Sequence, residues 1–223
     1  MKKDNWLSKQ LKYEVKSLDK KDLINLNFKN FKTKTLLYCK VGQDFKINKK
    51  LLSNKFILVE KNLLFKKKIN QINFECSKIR EAQPRDKKEV CEIAKKSFIN
   101  SRFYKDRHIS NSIAAKIKFN WVKNYFSGKR GDRMIVYSEK KKVIGFVMLI
   151  NKKKNLIIDL IAVKKKFRKK NIASKFIRFI CNTSKNKHYI YAGTQQENFQ
   201  SIKFYKKNKF IIAKNINVYH KHI

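Results

Sequence analysis

The feature that most constrains the fold is an apolar run, residues 156–163, followed by a basic loop and by an amphipathic helix that begins near Ile172. The run predicts a strand. The first turn of a helix leaves backbone N–H groups without intrahelical partners, and the helix dipole is positive there. A strand that leads through a short loop into such a helix start therefore predicts a pyrophosphate-binding site. The alternative is a solvated basic loop between a buried strand and a surface helix.

The loop has the order V-x-x-x-x-R-x-x-x-I-A and resembles the acetyl-CoA loop of the GNAT acetyltransferase superfamily. Lys169 and Asn171 stand where that family usually has glycine, which is favoured where the backbone approaches phosphate closely or takes a positive φ. Asn is the next most tolerant residue for that conformation. The resemblance implies that acetyl-CoA binds to Ile161, Val163, Arg168, Lys169, Lys170, Asn171, Ile172, Ala173 and Ser174.

A second motif follows in the C-terminal part, where a helix over residues 197–207 is predicted between strands 188–194 and 210–219. Asn198, Tyr205 and Phe210 have the spacing of the last helix of GNAT enzymes. Residues seven apart lie on the same face of a helix, so Asn198 and Tyr205 are expected to face one cleft. The resemblance implies that Asn198 binds acetyl-CoA and that the Tyr205 hydroxyl protonates the departing thiolate. The alternative for Tyr205 is an ordinary half-buried core aromatic.

The order of predicted elements from residue 78 onward is β–α–α–β–β–β–α–β–α–β, the GNAT order. Earlier strands are predicted at 79–82, 134–138 and 142–150, and helices at 84–98 and 110–126. Residues 1–76 contain further apolar runs typical of half-buried strands. The expected fold is thus α/β with a mixed sheet, a small N-terminal α/β accessory domain (1–76) preceding a GNAT domain (77–223).

The net charge of +41 would ordinarily indicate a nucleic-acid-binding protein. However, only 8 of the 57 basic residues are Arg, the lysines are spread along the whole chain, and Gly (5) and Pro (1) are scarce. This pattern is expected from an AT-rich coding sequence with a solvated basic surface. We therefore expect no nucleic-acid partner, although the charge attracts anionic substrates. A non-catalytic nucleic-acid-binding module remains an alternative.

The cysteines and the N-terminus indicate a cytoplasmic protein. Cys39, Cys76, Cys91 and Cys181 have no C-x-x-C spacing, which is typical of reduced thiols. The sequence shows neither a signal-peptide pattern nor an apolar run long enough for a membrane span.

His220 and His222 alternate on the last predicted strand, so they share a face and could bind a metal. Ordinary polar positions on a terminal strand are the favoured interpretation. We expect no metal.

Residues 97–106 (SFINSRFYKD), residues 121–124 (WVKN) and Gly128 resemble the dTDP-fucosamine N-acetyltransferase family, as do residues 193–195 (GTQ) and the segment LLSNKFILVEKNLLFKKKI. The match implies an acceptor site formed by Arg102, Phe103, Asp106, Trp121, Thr194 and Gln195. Arg can bind phosphate bidentately, and aromatic rings can stack on a base or sugar. The alternative is that Phe103 and Trp121 are core residues, which is favoured for Trp121, and that Arg102 caps a loop.

The implied reaction is direct acetyl transfer, in a ternary complex, to the amine of a nucleotide-linked sugar such as dTDP-4-amino-4,6-dideoxygalactose, for surface polysaccharide. The co-substrate is acetyl-CoA, and a homodimer is possible. The general base is not identified. Alternatives are a GNAT enzyme that acts on a protein N-terminus, a lysine or another small amine, and a GNAT protein that binds acetyl-CoA without turnover.

Overall fold

A computed structural model describes residues 1–25, 31 and 33–223. In this part of the chain the strands are β1 (Lys2–Lys3), β2 (Glu14–Leu18), β3 (Thr35–Val41), β4 (Ile57–Lys68), β5 (Ile79–Glu81), β6 (Arg133–Glu139), β7 (Lys142–Lys152), β8 (Asn155–Val163), β9 (Tyr189–Gln195) and β10 (Ile211–His222).

The helices are α1 (Asn5–Leu11), α2 (Lys20–Ile24), α3 (Phe45–Ser53), α4 (Lys87–Ser97), α5 (Arg102–Lys105), α6 (Asn111–Lys123), α7 (Ile172–Thr183) and α8 (Phe199–Lys207). Short 3-10 turns cover Pro84–Asp86, Tyr125–Ser127 and Lys165–Phe167.

The described strands form one mixed sheet in the order β1-β2-β3-β10-β4-β9-β8-β7-β6-β5. Two neighbouring pairs, β2/β3 and β8/β9, are parallel. The last strand, β10, lies between the N-terminal strands β3 and β4, and β4 in turn pairs with β9. The sheet is therefore continuous across the expected boundary at residue 76. The division into two domains stays a prediction.

The predicted element order from residue 78 is confirmed, with the short helix α5 added between α4 and α6. Helix α4 begins as expected after Pro84. The carboxylate of Asp86 accepts a hydrogen bond from the backbone N–H of Gln83 (2.7 Å) and forms an ion pair with Arg80. This arrangement satisfies an N–H group that the helix start leaves unpaired.

Helices cover both faces of the central strands. In β7, Val143, Phe146 and Met148 pack toward α4 and α6, whereas Ile144 and Val147 pack toward α7 and α8. A strand buried on both faces has apolar residues at successive positions. This is why residues 143–150 (VIGFVMLI) predict a central strand.

The four cysteines are free thiols, three of them buried. No helix among the described residues has the length and apolar character needed to cross a membrane.

Candidate active site

The parallel strands β8 and β9 separate part-way along their length. They pair from Asn155/Tyr189 to Ile158/Ala192, and the remainder of each strand has no partner in the other. A β-bulge lies at the same level, because the register between β7 and β8 shifts at Asp159. Beyond Ile158, one backbone edge of β8 thus faces an opening rather than a neighbouring strand.

The basic loop between β8 and α7 (residues 164–171) has the conformation that glycine favours. Lys169 has φ 64° and Asn171 has φ 57°, and these are the two positions where the GNAT loop usually has glycine. Both positions therefore take the positive φ that favours glycine, although their side chains are not glycine. Holding a lysine in the left-handed region costs about 1–2 kcal/mol.

The start of α7 has no side-chain cap. The Asn171 carboxamide oxygen, which stands at the N-cap position, accepts a hydrogen bond from Lys207 Nζ (3.2 Å) instead of from the helix. Among the described residues, the backbone N–H groups of Ile172, Ala173 and Ser174 have no hydrogen-bond acceptor. These donors and the positive end of the helix dipole are available to an anion.

The other predicted acetyl-CoA residues lie beside this loop. Arg168 is exposed, and its Nε donates to the carbonyl oxygen of Val163 (3.1 Å). Ile161 is half-buried in the separated part of β8. Lys170 is exposed in the loop. Their contacts to acetyl-CoA stay predictions.

Asn198 caps α8 rather than lying within it. Its Oδ1 accepts from the backbone N–H of Ser201 (3.2 Å), so the amide nitrogen is left to donate elsewhere. Tyr205 lies inside α8 and is 3% exposed. Its ring stacks on Phe65 of β4, with centroids 5.2 Å apart, and meets Phe210 edge-on. Burial raises the pKa of the Tyr205 phenol well above its usual range, so the hydroxyl keeps its proton at neutral pH.

The predicted acceptor residues are only partly brought together. Phe103 is 1% exposed in the core, a position that does not support stacking on a ligand. Trp121 is half-buried, packs edge-on against Trp6, and donates from Nε1 to Asp159 (2.8 Å). Thr194 is buried on β9, whereas the neighbouring Gln195 is half-buried.

Arg102 and Asp106 belong to a buried cluster with β10. The Asp106 Oδ2 atom lies 2.6 Å from His220 Nδ1 and 2.8 Å from His222 Nε2, which are hydrogen-bond distances. The His220 Nε2 atom lies 3.3 Å from Arg102 Nη1. Burial raises the pKa of Asp106, but the hydrogen bonds from the two histidines outweigh it and hold that pKa well below its usual range. Burial lowers the pKa of His220 to about 4. The cluster fixes the end of α5 to β10.

The side chains of Asp106, His220 and His222 lie close enough together to form part of a metal site. The expectation of no metal stays a prediction.

Sequence reasoning missed Glu60, a buried carboxylate on β4. Its Oε2 accepts from the backbone N–H of Arg102 (2.9 Å) and from Gln195 Nε2 (3.0 Å), and its Oε1 accepts from Asn62 Nδ2 (2.8 Å). Glu60 has no ion-pair partner among the described residues. The only signal in the sequence was an acidic residue within an apolar strand.

An open groove of about 540 Å³ borders Glu60, and Lys105, Gln196 and Phe199 contribute to its walls.

Asp159, at the bulge of β8, was also missed. Arg130 binds both of its oxygens, with Nε at 2.7 Å and Nη2 at 2.6 Å, and Trp121 donates to one of them. This carboxylate is fully engaged, whereas the hydrogen-bond donors to Glu60 are all neutral groups.

A third missed residue is Lys118 of α6, whose ammonium lies above the rings of Trp121 (4.5 Å), Phe98 (5.4 Å) and Phe103 (5.9 Å). Burial lowers the pKa of Lys118 to about 8, although the negative charges of Asp159 and Glu60 act in the opposite direction.

Comparison with known proteins identifies the class. The Acetyltransferase (GNAT) family matches residues 88–210, which is more than half of the chain. The chain therefore belongs to the GNAT acetyltransferase family.

Solved structures agree at the level of the fold. A conserved protein of unknown function from Staphylococcus epidermidis superposes with a TM-score of 0.61 over 83% of this chain and 72% of its own, at 14% identity.

A GCN5-related N-acetyltransferase from Sphaerobacter thermophilus superposes with a TM-score of 0.57 over 91% of this chain and 64% of its own, at 9% identity.

One curated relative is the spore coat polysaccharide biosynthesis protein SpsD of Bacillus subtilis (strain 168). It is 32% identical over 140 residues, which is 62% of this chain and 48% of the relative. The chain thus spans about half the length of this relative.

Proposed function

We propose that this chain is an acetyl-CoA-dependent N-acetyltransferase that acetylates the amine of a nucleotide-linked amino-deoxy sugar, similar to dTDP-4-amino-4,6-dideoxygalactose, for surface polysaccharide. The observation that carries the acetyl-CoA part is the opening between β8 and β9, which lies directly before the basic loop and the uncapped start of α7. The relative named for spore coat polysaccharide biosynthesis supports a sugar acceptor. The proposed enzyme acts in the cytoplasm and can form a homodimer.

Acetyl-CoA binding uses the backbone more than side chains. The pyrophosphate accepts hydrogen bonds from the N–H groups at the start of α7, as anions do at helix N-termini. The pantetheine arm pairs with the free edge of β8 near Ile161 and Val163 in the manner of an added strand. The amide nitrogen of Asn198, which capping leaves free, donates to the same arm.

Glu60 is the proposed general base. The sugar amine must lose a proton to attack the thioester carbonyl, and a buried carboxylate beside the groove can accept it directly or through one water. Asp159 is a poorer choice, because Arg130 and Trp121 occupy both of its oxygens. Attack gives a tetrahedral intermediate, whose oxyanion a backbone N–H of β8 stabilises.

Tyr205 is the proposed acid for the leaving group. When the intermediate collapses, the carbon–sulfur bond breaks and the electron pair passes to sulfur, which takes a proton from the phenol. A tyrosine phenol is protonated at neutral pH, so it can donate to sulfur there; burial, which raises its pKa, makes it a weaker acid than an exposed tyrosine. The products are the N-acetyl sugar nucleotide and free CoA.

The test is thiol release from acetyl-CoA with a panel of dTDP- and UDP-linked 4-amino-4,6-dideoxy sugars, with peptides and free amines as competing acceptors. We expect turnover with a nucleotide sugar, and kcat at least about 100-fold lower for Glu60→Gln and for Tyr205→Phe. Glu139→Gln, which changes a half-buried carboxylate that pairs with Lys78 at the end of β6, is the control and keeps wild-type kcat. Turnover with peptides alone would show that the acceptor is a protein amine.

A further inference from the structure

Lys118 is a cation without a counter-ion in the region around Glu60, Arg102 and Asp159. This region, which is proposed to bind the acceptor, is called the acceptor side below. Among the described residues its ammonium makes no hydrogen bond and no ion pair, and its nearest neighbours are the aromatic rings of Phe98, Phe103 and Trp121. An aromatic face attracts a cation but accepts no full hydrogen bond from it. A half-buried ammonium in this setting has lost water without gaining an anion, which is unfavourable in the free protein.

The charged residues around Lys118 do not supply a counter-charge for its ammonium. Arg130 neutralises Asp159, and the Arg102 guanidinium interacts electrostatically with Glu60. Lys118 interacts electrostatically with all four of these residues, which carry two negative and two positive charges. The charges of these four residues cancel, so together with the ammonium of Lys118 the five residues carry a net charge of +1, which a bound anionic group would balance.

Resting on the function proposed above, we propose that Lys118 binds the diphosphate of the nucleotide-linked acceptor and so selects nucleotide-linked over free amino sugars. A phosphate oxygen supplies the missing hydrogen-bond acceptor and counter-charge, and in a partly desolvated site this pairing is stronger than at a surface. The rings of Trp121 and Phe103, which the sequence suggested as stacking groups, hold the lysine instead.

The geometry of α6 supports this assignment. Lys118 and Trp121 are three residues apart and lie on the same face of the helix, and Trp121 is hydrogen-bonded to Asp159 at the bulge of β8. The lysine is therefore fixed relative to the point where β8 and β9 separate.

The test is calorimetric titration of dTDP into the full chain saturated with CoA, which occupies the cofactor loop so that the probe reports on the acceptor side. Wild type is expected to bind dTDP, and Lys118→Met is expected to bind it at least about tenfold more weakly, a loss typical of one charge-assisted contact. Lys116→Met, on the exposed face of the same helix, is the matched control and binds as wild type.

Kinetics complete the test. With the nucleotide sugar, Lys118→Met is expected to raise KM at least about tenfold with little change in kcat, and with the free amino sugar to change neither. Equal dTDP affinity in wild type and Lys118→Met, or wild type that binds no dTDP, would overturn the assignment. Acetyl transfer that persists in either case leaves the proposed enzyme activity standing, whereas absence of transfer to every acceptor refutes that activity separately.

Discussion

At the scale of single residues, the site depends on side chains held in unfavourable states. Lys169 takes a positive φ without being glycine, Lys118 is a half-buried cation without a counter-ion, and Tyr205 is a phenol deep in the core. Each state costs folding free energy. Positive φ is not confined to this loop, because other lysines also take it, namely Lys12, Lys55, Lys140, Lys141, Lys153 and Lys209. The place of Lys169 in the loop, rather than its φ alone, connects it with the site.

The loop strain predicts a stabilising substitution. Lys169→Gly is expected to raise the free energy of unfolding by up to about 1 kcal/mol, because relief of the left-handed conformation exceeds the added chain entropy of glycine. Lys170→Gly is the matched control in the same loop and is expected to be neutral or destabilising, since the φ of Lys170 is not positive. Urea denaturation measures both. A Lys169→Gly variant less stable than wild type would show that the side chain of Lys169 contributes more than its backbone costs.

The lowered pKa of Lys118 predicts a stability difference that depends on pH. Below pH 8 the ammonium is charged in both states and its burial opposes folding, and this cost decreases as pH rises from about 8 toward the ordinary lysine value of 10.5. Lys118→Met is therefore expected to have a higher melting temperature than wild type at pH 7, and the gain is expected to shrink by pH 10. The charged groups that act on the ammonium are Asp159, Glu60, Arg102 and Arg130. A gain that does not vary with pH would contradict a lowered pKa.

At the scale of elements, the parts predictable from sequence are those governed by local patterns. The strand–loop–helix from β8 to α7 and the position of α8 follow from apolar periodicity and loop composition. The positive φ at Asn171 follows from its place in the loop motif. The separation of β8 from β9 and the bulge at Asp159 depend on tertiary packing, which no local pattern records.

The acceptor side was less predictable for the same reason. Glu60 lies more than forty residues before Arg102 and 135 before Gln195, and only the fold brings their hydrogen-bonding groups together. Phe103 and Asp106 have residue types typical of binding sites, but the structure uses them in the core and in the histidine cluster. Residue type alone does not distinguish these uses.

At the scale of the whole molecule, the N-terminal strands complete the acetyltransferase sheet. The last strand, β10, has β3 on one side and β4 on the other, and Phe65 of β4 packs directly on Tyr205. The proposed base and the ring behind the proposed acid thus both belong to β4. Residues 1–76 therefore support the site directly.

This continuity predicts a single cooperative unfolding event. Scanning calorimetry of the full chain is expected to show one transition, and Phe65→Ala is expected to lower its midpoint through a loss of about 3–5 kcal/mol. Ile24→Ala, which changes an exposed side chain in the N-terminal segment, serves as the control and leaves the midpoint nearly unchanged. Two separate transitions would instead support independent domains divided near residue 76.

The measurement that tests the central claim most directly is calorimetric titration of acetyl-CoA into wild type and into Ser174→Glu. An acidic side chain in the first turn of α7 favours the helix but places negative charge beside the N–H groups proposed for the pyrophosphate. We expect wild type to bind acetyl-CoA and Ser174→Glu to bind it at least about tenfold more weakly. The substitution also removes the hydrogen bond from Asn208 Nδ2 to Ser174 Oγ (3.0 Å), so a cooperative melting transition is the check that the variant is folded. Thr183→Glu, at the other end of α7, is expected to bind as wild type. No binding by wild type, or equal binding by Ser174→Glu, would contradict the account of this loop as the acetyl-CoA site.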